Sequence, residues 1–434
     1  MASGDQHPPQ VDPIEPIRQV DRLLVRQWLI LAVTMLIAIP GPIIRFGEVF
    51  HLYDLHLGPE LGAITFGISI FAAATLLTWA SEVAETEISA GLALVVLALI
   101  AVLPEYAVDL YFAWTAPDNP ENAHLAVANM TGGNRLLVGL AWPVIFFIFW
   151  RKFKQNIMPI ERGNAIGILF LGAATLYSFS IPVRGYLSLV DTAIMFSLFA
   201  GYLYIAAKSP PEHERDFVGP AAAIGALPQF WRRACVLAIF VYSAIVIFAA
   251  AEPFAESLVE SGESLGIDEF ILVQWVAPLA SESPEFILAA LLAMRGRYAA
   301  GMTILISSKV NQWTLLIGSL PLAYSISGGT TAPLDFDTRQ SEEIFLTSGQ
   351  SLFAVAILVS LTVSRWEAAT LFGLFMTQFF FTNGDVRVAF GIMYCILAVI
   401  VLIRDVPLAG NFFGAAKESL NPPPRAVPGP APPT

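Results

Sequence analysis

Charge is scarce in this chain of 434 residues: 13% are Asp, Glu, Lys or Arg, while 56% are hydrophobic. Soluble domains carry about a quarter charged residues. The shortage excludes a soluble enzyme and a disordered chain, and stretches of about 20 apolar residues read as membrane spans. Cysteine is nearly absent. Cys235 and Cys395 both lie in apolar runs and form neither a disulfide framework nor a zinc spacing. The five histidines (His7, His51, His56, His124, His213) make no His-x-x-His or His-Glu-x-x-His pattern, so zinc chemistry has nothing to stand on. Basic surplus is missing too, and a net charge of −12 argues against nucleic acid as a partner. The first apolar run begins near Gln27, behind a polar, proline-containing leader, so no cleaved signal segment is expected.

What remains is an all-α integral membrane protein of about twelve transmembrane helices. The apolar runs place them near 28–48, 60–83, 88–116, 122–150, 164–183, 187–208, 232–257, 268–295, 299–325, 344–364, 366–383 and 386–404. Lys and Arg set the orientation. With the N-terminus inside, 17 basic residues fall in inner segments, and only Arg45, Arg184, Arg339 and Arg387 fall in outer ones. Both termini are therefore expected in the cytoplasm, in a bacterial inner membrane. The expected partners are membrane lipid and small cations, with no nucleic acid and no resident cofactor. After Asp405 the chain is proline-rich, and a disordered tail over 405–434 is expected.

Two regions of the sequence resemble each other. Each has a helix ending in spaced carboxylates: Glu82, Glu85 and Glu87 in one, Glu252, Glu256 and Glu260 in the other. Each then has an apolar helix interrupted by Pro-Glu (Pro104-Glu105 and Pro284-Glu285), followed by a helix with polar residues mid-span. The units are 60–208 and 232–383, joined by a cytoplasmic linker over 209–231. A polar tail (1–27) and an extra span with its loop (28–59) precede them, and a further span (384–404) follows. Five helices per unit make the repeats inverted, as in secondary transporters whose site lies at the repeat interface near the bilayer midplane.

The candidate site residues follow from intramembrane charge. Proline frees carbonyls on its N-terminal side, and a carboxylate beside free carbonyls makes a hard-oxygen cage suited to Na⁺ or Ca²⁺. Glu105 and Glu285 stand in that position in the two repeats; the bland alternative is a paired or protonated packing group. Asp109 shares a helix face with Glu105 and Glu282 lies near that of Glu285, as second ligands, proton carriers or vestibule lining. Arg135 and Lys309 lie inside the third helix of their repeats, where a cation needs a counter-charge, and the carboxylates of the neighbouring helix are the expected partners of both. Counting both against the four acids leaves a net −2, which favours a cation. Plain structural salt bridges are the alternative. Ser281, Asn134 and Gln312 add neutral oxygens, though such groups also glue membrane helices together.

This pattern resembles the cation/calcium exchanger superfamily, the sodium/calcium exchangers, over roughly 60–383. The family has two inverted repeats, each with Gly-Thr-Ser-x-Pro-Glu on one helix and Gly-Ser-Asn-x-x-Asn on the next. Here the first motif reads Ala101-Val102-Leu103-Pro104-Glu105 and the second Ser281-Glu282-Ser283-Pro284-Glu285. The helices after them read Gly132-Gly133-Asn134 and Ser307-Ser308-Lys309. The resemblance implies that Glu105 and Glu285 are the central ion-binding carboxylates and that transport works by alternating access. The implied activity is secondary cation antiport of Na⁺/Ca²⁺ or Na⁺/H⁺ type, with Na⁺, Ca²⁺ or H⁺ as cargo. The chain departs from the pattern where Ala101 and Val102 replace Thr and Ser, Leu137 and Gln312 stand at matching places, Lys309 replaces an Asn and Arg135 adds a cation. Fewer ions per cycle, or proton coupling through Lys309 with Glu285, follow from those departures. The rival function is a non-transporting scaffold or sensor whose site is salt-bridged. An intramembrane aspartyl protease is excluded, because Val190-Asp191 and Asn383-Gly384-Asp385 are not its motifs.

Overall fold

The computed structural model describes residues 15–52, 57–84, 103–208, 217, 219–381 and 383–420. Residues 85–102 lie outside the described ones, and with them Glu85, Glu87, Ala101, Val102 and the first half of the predicted third span. The chain opens with α1 (Glu15–Ala38), α2 (Pro40–Val49), α3 (Pro59–Ala84), α4 (Leu103–Thr115) and α5 (Glu121–Leu136). A π-turn (Leu137–Ala141) leads into α6 (Trp142–Phe153), strand β1 (Ile157–Pro159), α7 (Ala165–Ser178), α8 (Ser180–Arg184), β2 (Tyr186–Leu187) and α9 (Leu189–Ala206). The short α10 (Pro220–Gly225) precedes α11 (Gln229–Leu265), α12 (Glu269–Met294) and α13 (Tyr298–Asn311). A second π-turn (Gln312–Leu316) leads into α14 (Ile317–Gly328), β3 (Leu334–Asp335), α15 (Thr338–Leu358), β4 (Thr362–Ser364), α16 (Arg365–Phe379), α17 (Gly384–Asp405) and α18 (Ala409–Leu420).

Eight of these helical segments are long and apolar enough to cross a membrane. Their exposed faces carry large apolar side chains, such as Leu176, Phe248, Val399 and Ile403, which suit acyl chains rather than water. The two halves share the same devices in the same order. Each has a π-turn after its third described helix, α5 or α13, and each π-turn is soon followed by a proline, Pro143 or Pro321. The Pro143 ring would clash with the Gly139 carbonyl in a tight α-turn, and Gly139 lies within the widened turn. A glycine on each side admits an aromatic ring: a Cβ on Gly139 would stand 2.4 Å from Phe375, and one on Gly318 would stand 2.9 Å from Phe196. The helices carrying those rings, α16 and α9, both begin with a capping box, Ser364 with Glu367 and Ser188 with Asp191. Antiparallel pairing joins β1 to β4 and β2 to β3, so each half supplies one strand to each end of the bundle.

Three expectations need correction. The Pro-Glu helix of the second half is not interrupted: α12 runs unbroken through Pro278 and Pro284. Tertiary packing holds it together where isolated propensity would break it. The chain after Asp405 is not wholly irregular either. Its prolines begin again only at Pro422, and the proline-free stretch before them forms α18. Phe412, Ala415 and Ala416 on one face of α18 are buried, and that helix packs on α7. The expectation for residues 421–434 lies outside the described residues. At the other end, α1 begins at Glu15, inside the stretch read as a polar tail.

Candidate ion site

Four segments meet at the centre of the molecule: α4, α5 with its π-turn, α12, and α13 with its π-turn. Helix α12 lies across α5, and α14 across α4. The first crossing is set by two glycines. A Cβ on Gly132 would stand 1.8 Å from the Gln274 carbonyl oxygen, and one on Gly133 would stand 2.0 Å from Glu282 Oε1. Pro278 has no N–H to offer Gln274, four residues before it, so that carbonyl is released from the helix ladder at the point where Gly132 meets it. Only the absence of a side chain lets Glu282 press against α5.

The acids gather unevenly. Glu105 and Glu282 are buried at 6% and 4% exposure, and Asp109 is fully enclosed, while Glu285 is half-buried. Glu282, Asp109 and Glu285 all lie near enough to Glu105 for their charges to act on it. Glu285, the expected partner of Glu105, stands one helical turn beyond Glu282 in the same acidic group and meets the Ser308 hydroxyl. Gln312, on the π-turn, lies against both Glu105 and Glu282. Asn129 does the same for Asp109.

A surplus of oxygen marks the site. Glu105 Oε1, both oxygens of Glu282, both of Asp109, Asn129 Oδ1 and Gln312 Oε1 are buried without a hydrogen-bond partner among the described residues. Buried acceptors left unpaired are costly, and a cation removes that cost for several of them at once. Ser281 is less committed: its hydroxyl donates to the Ala277 carbonyl of its own helix, 3.2 Å away, leaving only lone pairs for a cation. No three Asp, Glu, His or Cys side chains among the described residues form a ready-made metal cluster. The arrangement is a set of buried carboxylates supplemented by amides.

The two intramembrane cations behave differently from the expectation and from each other. Arg135 does not meet the site acids. Its Nη2 lies 2.7 Å from Glu343 Oε2 on α15, and its guanidinium stacks over Trp275 at 5.0 Å. Arg387 Nη2 is 2.8 Å from Glu342 Oε2, and its Nε is 3.7 Å from Glu343 Oε1, which extends the network. The net charge of −2 therefore becomes −3 at the site if all four acids are ionised, because Arg135 is neutralised elsewhere. Lys309 feels the charges of Glu282 and Glu105 but pairs with neither among the described residues. It is fully buried, donates to Asn134 Oδ1 at 2.6 Å, and lies 4.4 Å from the centre of the Trp313 ring. An ammonium cannot ligate a metal, so Lys309 is a competitor for the site's oxygens rather than a ligand.

Glu343 was missed by the sequence reading. So was the buried polar stripe around it on α15, which includes Thr347, Ser348, Gln350 and Ser351. The signal was present as Glu342-Glu343 just before the span over 344–364 and the polar stretch 347–351 within it. At the bundle ends the spaced acids are engaged: Arg45 pairs with Glu252, and the Tyr111 hydroxyl donates to Glu256 at 2.9 Å.

Comparison with known proteins agrees with this architecture. A family model described as sodium/calcium exchanger protein matches residues 61–208 and again 235–384. The solved structure of the H⁺/Ca²⁺ exchanger CAX is similar over 92% of this chain and 99% of its own, at 40% identity and a TM-score of 0.86. A Ca²⁺/H⁺ antiporter protein, YfkE, shares the fold over 80% of this chain and 99% of its own, at 18% identity and a TM-score of 0.57. No match was found among curated proteins. The chain is an integral membrane protein, and with its family model matched in both halves it belongs to the sodium/calcium exchanger family.

Proposed function

We propose that the protein exchanges Ca²⁺ for protons across a bacterial inner membrane by alternating access, with both termini in the cytoplasm. The observation that carries this reading is the pair Glu105 and Glu282, contributed by opposite repeats, both buried with unpartnered oxygens and close enough to act on each other by charge. Ionised, the pair offers two negative charges to one divalent cation. Protonated, it is neutral and tolerable in lipid. The same two groups can thus hold either cargo but not both together, which is the condition for exchange. The likeness to the H⁺/Ca²⁺ exchanger CAX supports the choice of cargo over Na⁺/Ca²⁺ or Na⁺/H⁺ exchange.

Reconstitution into sealed liposomes tests it. A pH gradient, acid inside, should drive Ca²⁺ uptake, and an outward Ca²⁺ gradient should move protons the other way. Na⁺ or K⁺ gradients of equal size should drive none. Proton-independent uptake, or uptake only with Na⁺, would remove the reading. Cysteine labelling of Ser419 and Asn383 variants from either side of the membrane tests the orientation: only the first should react from the cytoplasm.

A further inference from the structure

The two halves place different residues at one corresponding position. Each π-turn has a residue three places before its first member, Leu137 or Gln312, and these are Asn134 in the first half and Lys309 in the second. They meet each other at the centre. Lys309 Nζ lies 2.6 Å from Asn134 Oδ1 and 3.4 Å from the Asn134 backbone oxygen, with the Trp313 ring face 4.4 Å away. Two acceptor oxygens and a π-face all present negative potential, and none of them offers a proton to the nitrogen. Those are the surroundings of a cation.

No carboxylate among the described residues lies within ion-pair distance of this nitrogen, although Glu282 and Glu105 are the acids whose charges act on it. Lys309 is therefore not locked into a salt bridge as Arg135 is. It stands beside the carboxylate pair as a separate positive charge, in a space lined by amide and carbonyl oxygen. Those are the donors an alkali cation takes. We propose that Lys309 is a tethered monovalent cation standing where a free Na⁺ would otherwise bind, so that the exchanger handles its divalent cargo without sodium.

The proposal rests on the cation-exchange reading of the same site and deepens it by assigning what excludes Na⁺. A protonated lysine at this position fills one unit of positive charge that is tied to the chain. An alkali cation entering beside it would face a fixed ammonium at close range, and repulsion in a low-dielectric interior is severe. Replacing Lys309 with Asn restores the residue of the other half, removes the charge and leaves oxygen in its place.

The test uses the full chain, purified and in proteoliposomes, with NaCl against choline chloride at equal ionic strength as the probe. Wild type and Lys309→Arg should show the same thermal midpoint in both salts, and Ca²⁺ uptake indifferent to a Na⁺ gradient. Lys309→Asn should gain stabilisation that rises with Na⁺ concentration, as a ligand that binds only the folded state must produce. Its Ca²⁺ uptake should run about tenfold faster with a Na⁺ gradient than with choline. A Lys309→Asn protein as indifferent to Na⁺ as wild type would overturn the proposal, and so would a wild type that already responds to Na⁺. If Lys309→Asn does not fold, Lys309→Gln carries the same two readings. Failure of the exchange reading looks different: wild type would then move no Ca²⁺ under any gradient, whatever Na⁺ does to the variant's stability.

Discussion

Two buried cations on corresponding helices have opposite fates. Arg135 is enclosed in a network that accounts for its charge: Glu343 at 2.7 Å, Arg387 bridging to Glu342, and the Trp275 face. Lys309 has an amide, a backbone carbonyl and a ring, while the carboxylates near it keep unpartnered oxygens. Both residues would count as intramembrane charges needing explanation. The difference lies in whether a carboxylate stands within ion-pair distance of the cation, as Glu343 does for Arg135. An ion pair fixes its cation, whereas a cation held by neutral acceptors leaves the carboxylates near it free for another. The first ties α5 to α15; the second stands in the candidate site.

That comparison can be broken in several places, and the largest effect belongs to the carboxylate pair. Glu282→Gln, like Glu105→Gln, should abolish Ca²⁺ uptake by at least about a hundredfold while the protein stays folded, because it halves the charge available to a divalent ion. Glu285→Gln should reduce uptake less, since Glu285 is half-buried and faces Ser308. Uptake in dye-loaded liposomes separates the three, and equal losses would refute the ranking of Glu282 above Glu285.

Next comes the closed network. Arg135→Leu alone should cost about 3–5 kcal/mol of stability, because Glu343 would be left buried without its partner. The double change Arg135→Leu with Glu343→Leu should recover most of that loss and still transport. Denaturation in detergent compares the three proteins. A double variant that is stable but inactive would show that Arg135 belongs to the site after all.

A smaller effect is expected from Gly133→Ala. The added methyl would reach Glu282 Oε1, at 2.0 Å in the present arrangement, and must push that carboxylate off α5. Apparent Ca²⁺ affinity should fall about tenfold, roughly 1.4 kcal/mol, with little loss of stability if the side chain swings freely. Acid should act in the same direction in wild type. Protons compete with the metal for ionised carboxylates, so Ca²⁺ affinity falls as pH falls and recovers as it rises, and binding isotherms at several pH values report the sign. The smallest effect should come from Arg162→Ala. Its pairing with Glu418 is solvent-exposed on both sides, and such pairs are worth at most about 1 kcal/mol.

Much of this was legible without coordinates. Hydropathy marked the chain as membrane-spanning, with eight of the twelve expected spans among the segments long and apolar enough to cross, and Pro104-Glu105 recurs as Pro284-Glu285 in the second half. The pairing of acids was not legible. Glu282 and Glu285 differ by three residues on one helix, and helical periodicity places both near one face. The choice between them came from Gly133, which lies on another helix. Glu343 is 208 residues from Arg135 and could not be matched to it by spacing. Helix α18 was hidden for a different reason: the flanking prolines dominated the reading of the tail, although none falls between Ala409 and Leu420.

The sequence by itself determined the solvent of this protein, its division into two inverted halves, and the intramembrane residues that had to find counter-charges. Those are consequences of composition and period, which act locally along the chain. Tertiary structure alone decided which charge answers which. Electrostatic partnership depends on distance and on what water has been excluded, and both are settled only when glycines let helices touch and neighbouring elements close around each side chain.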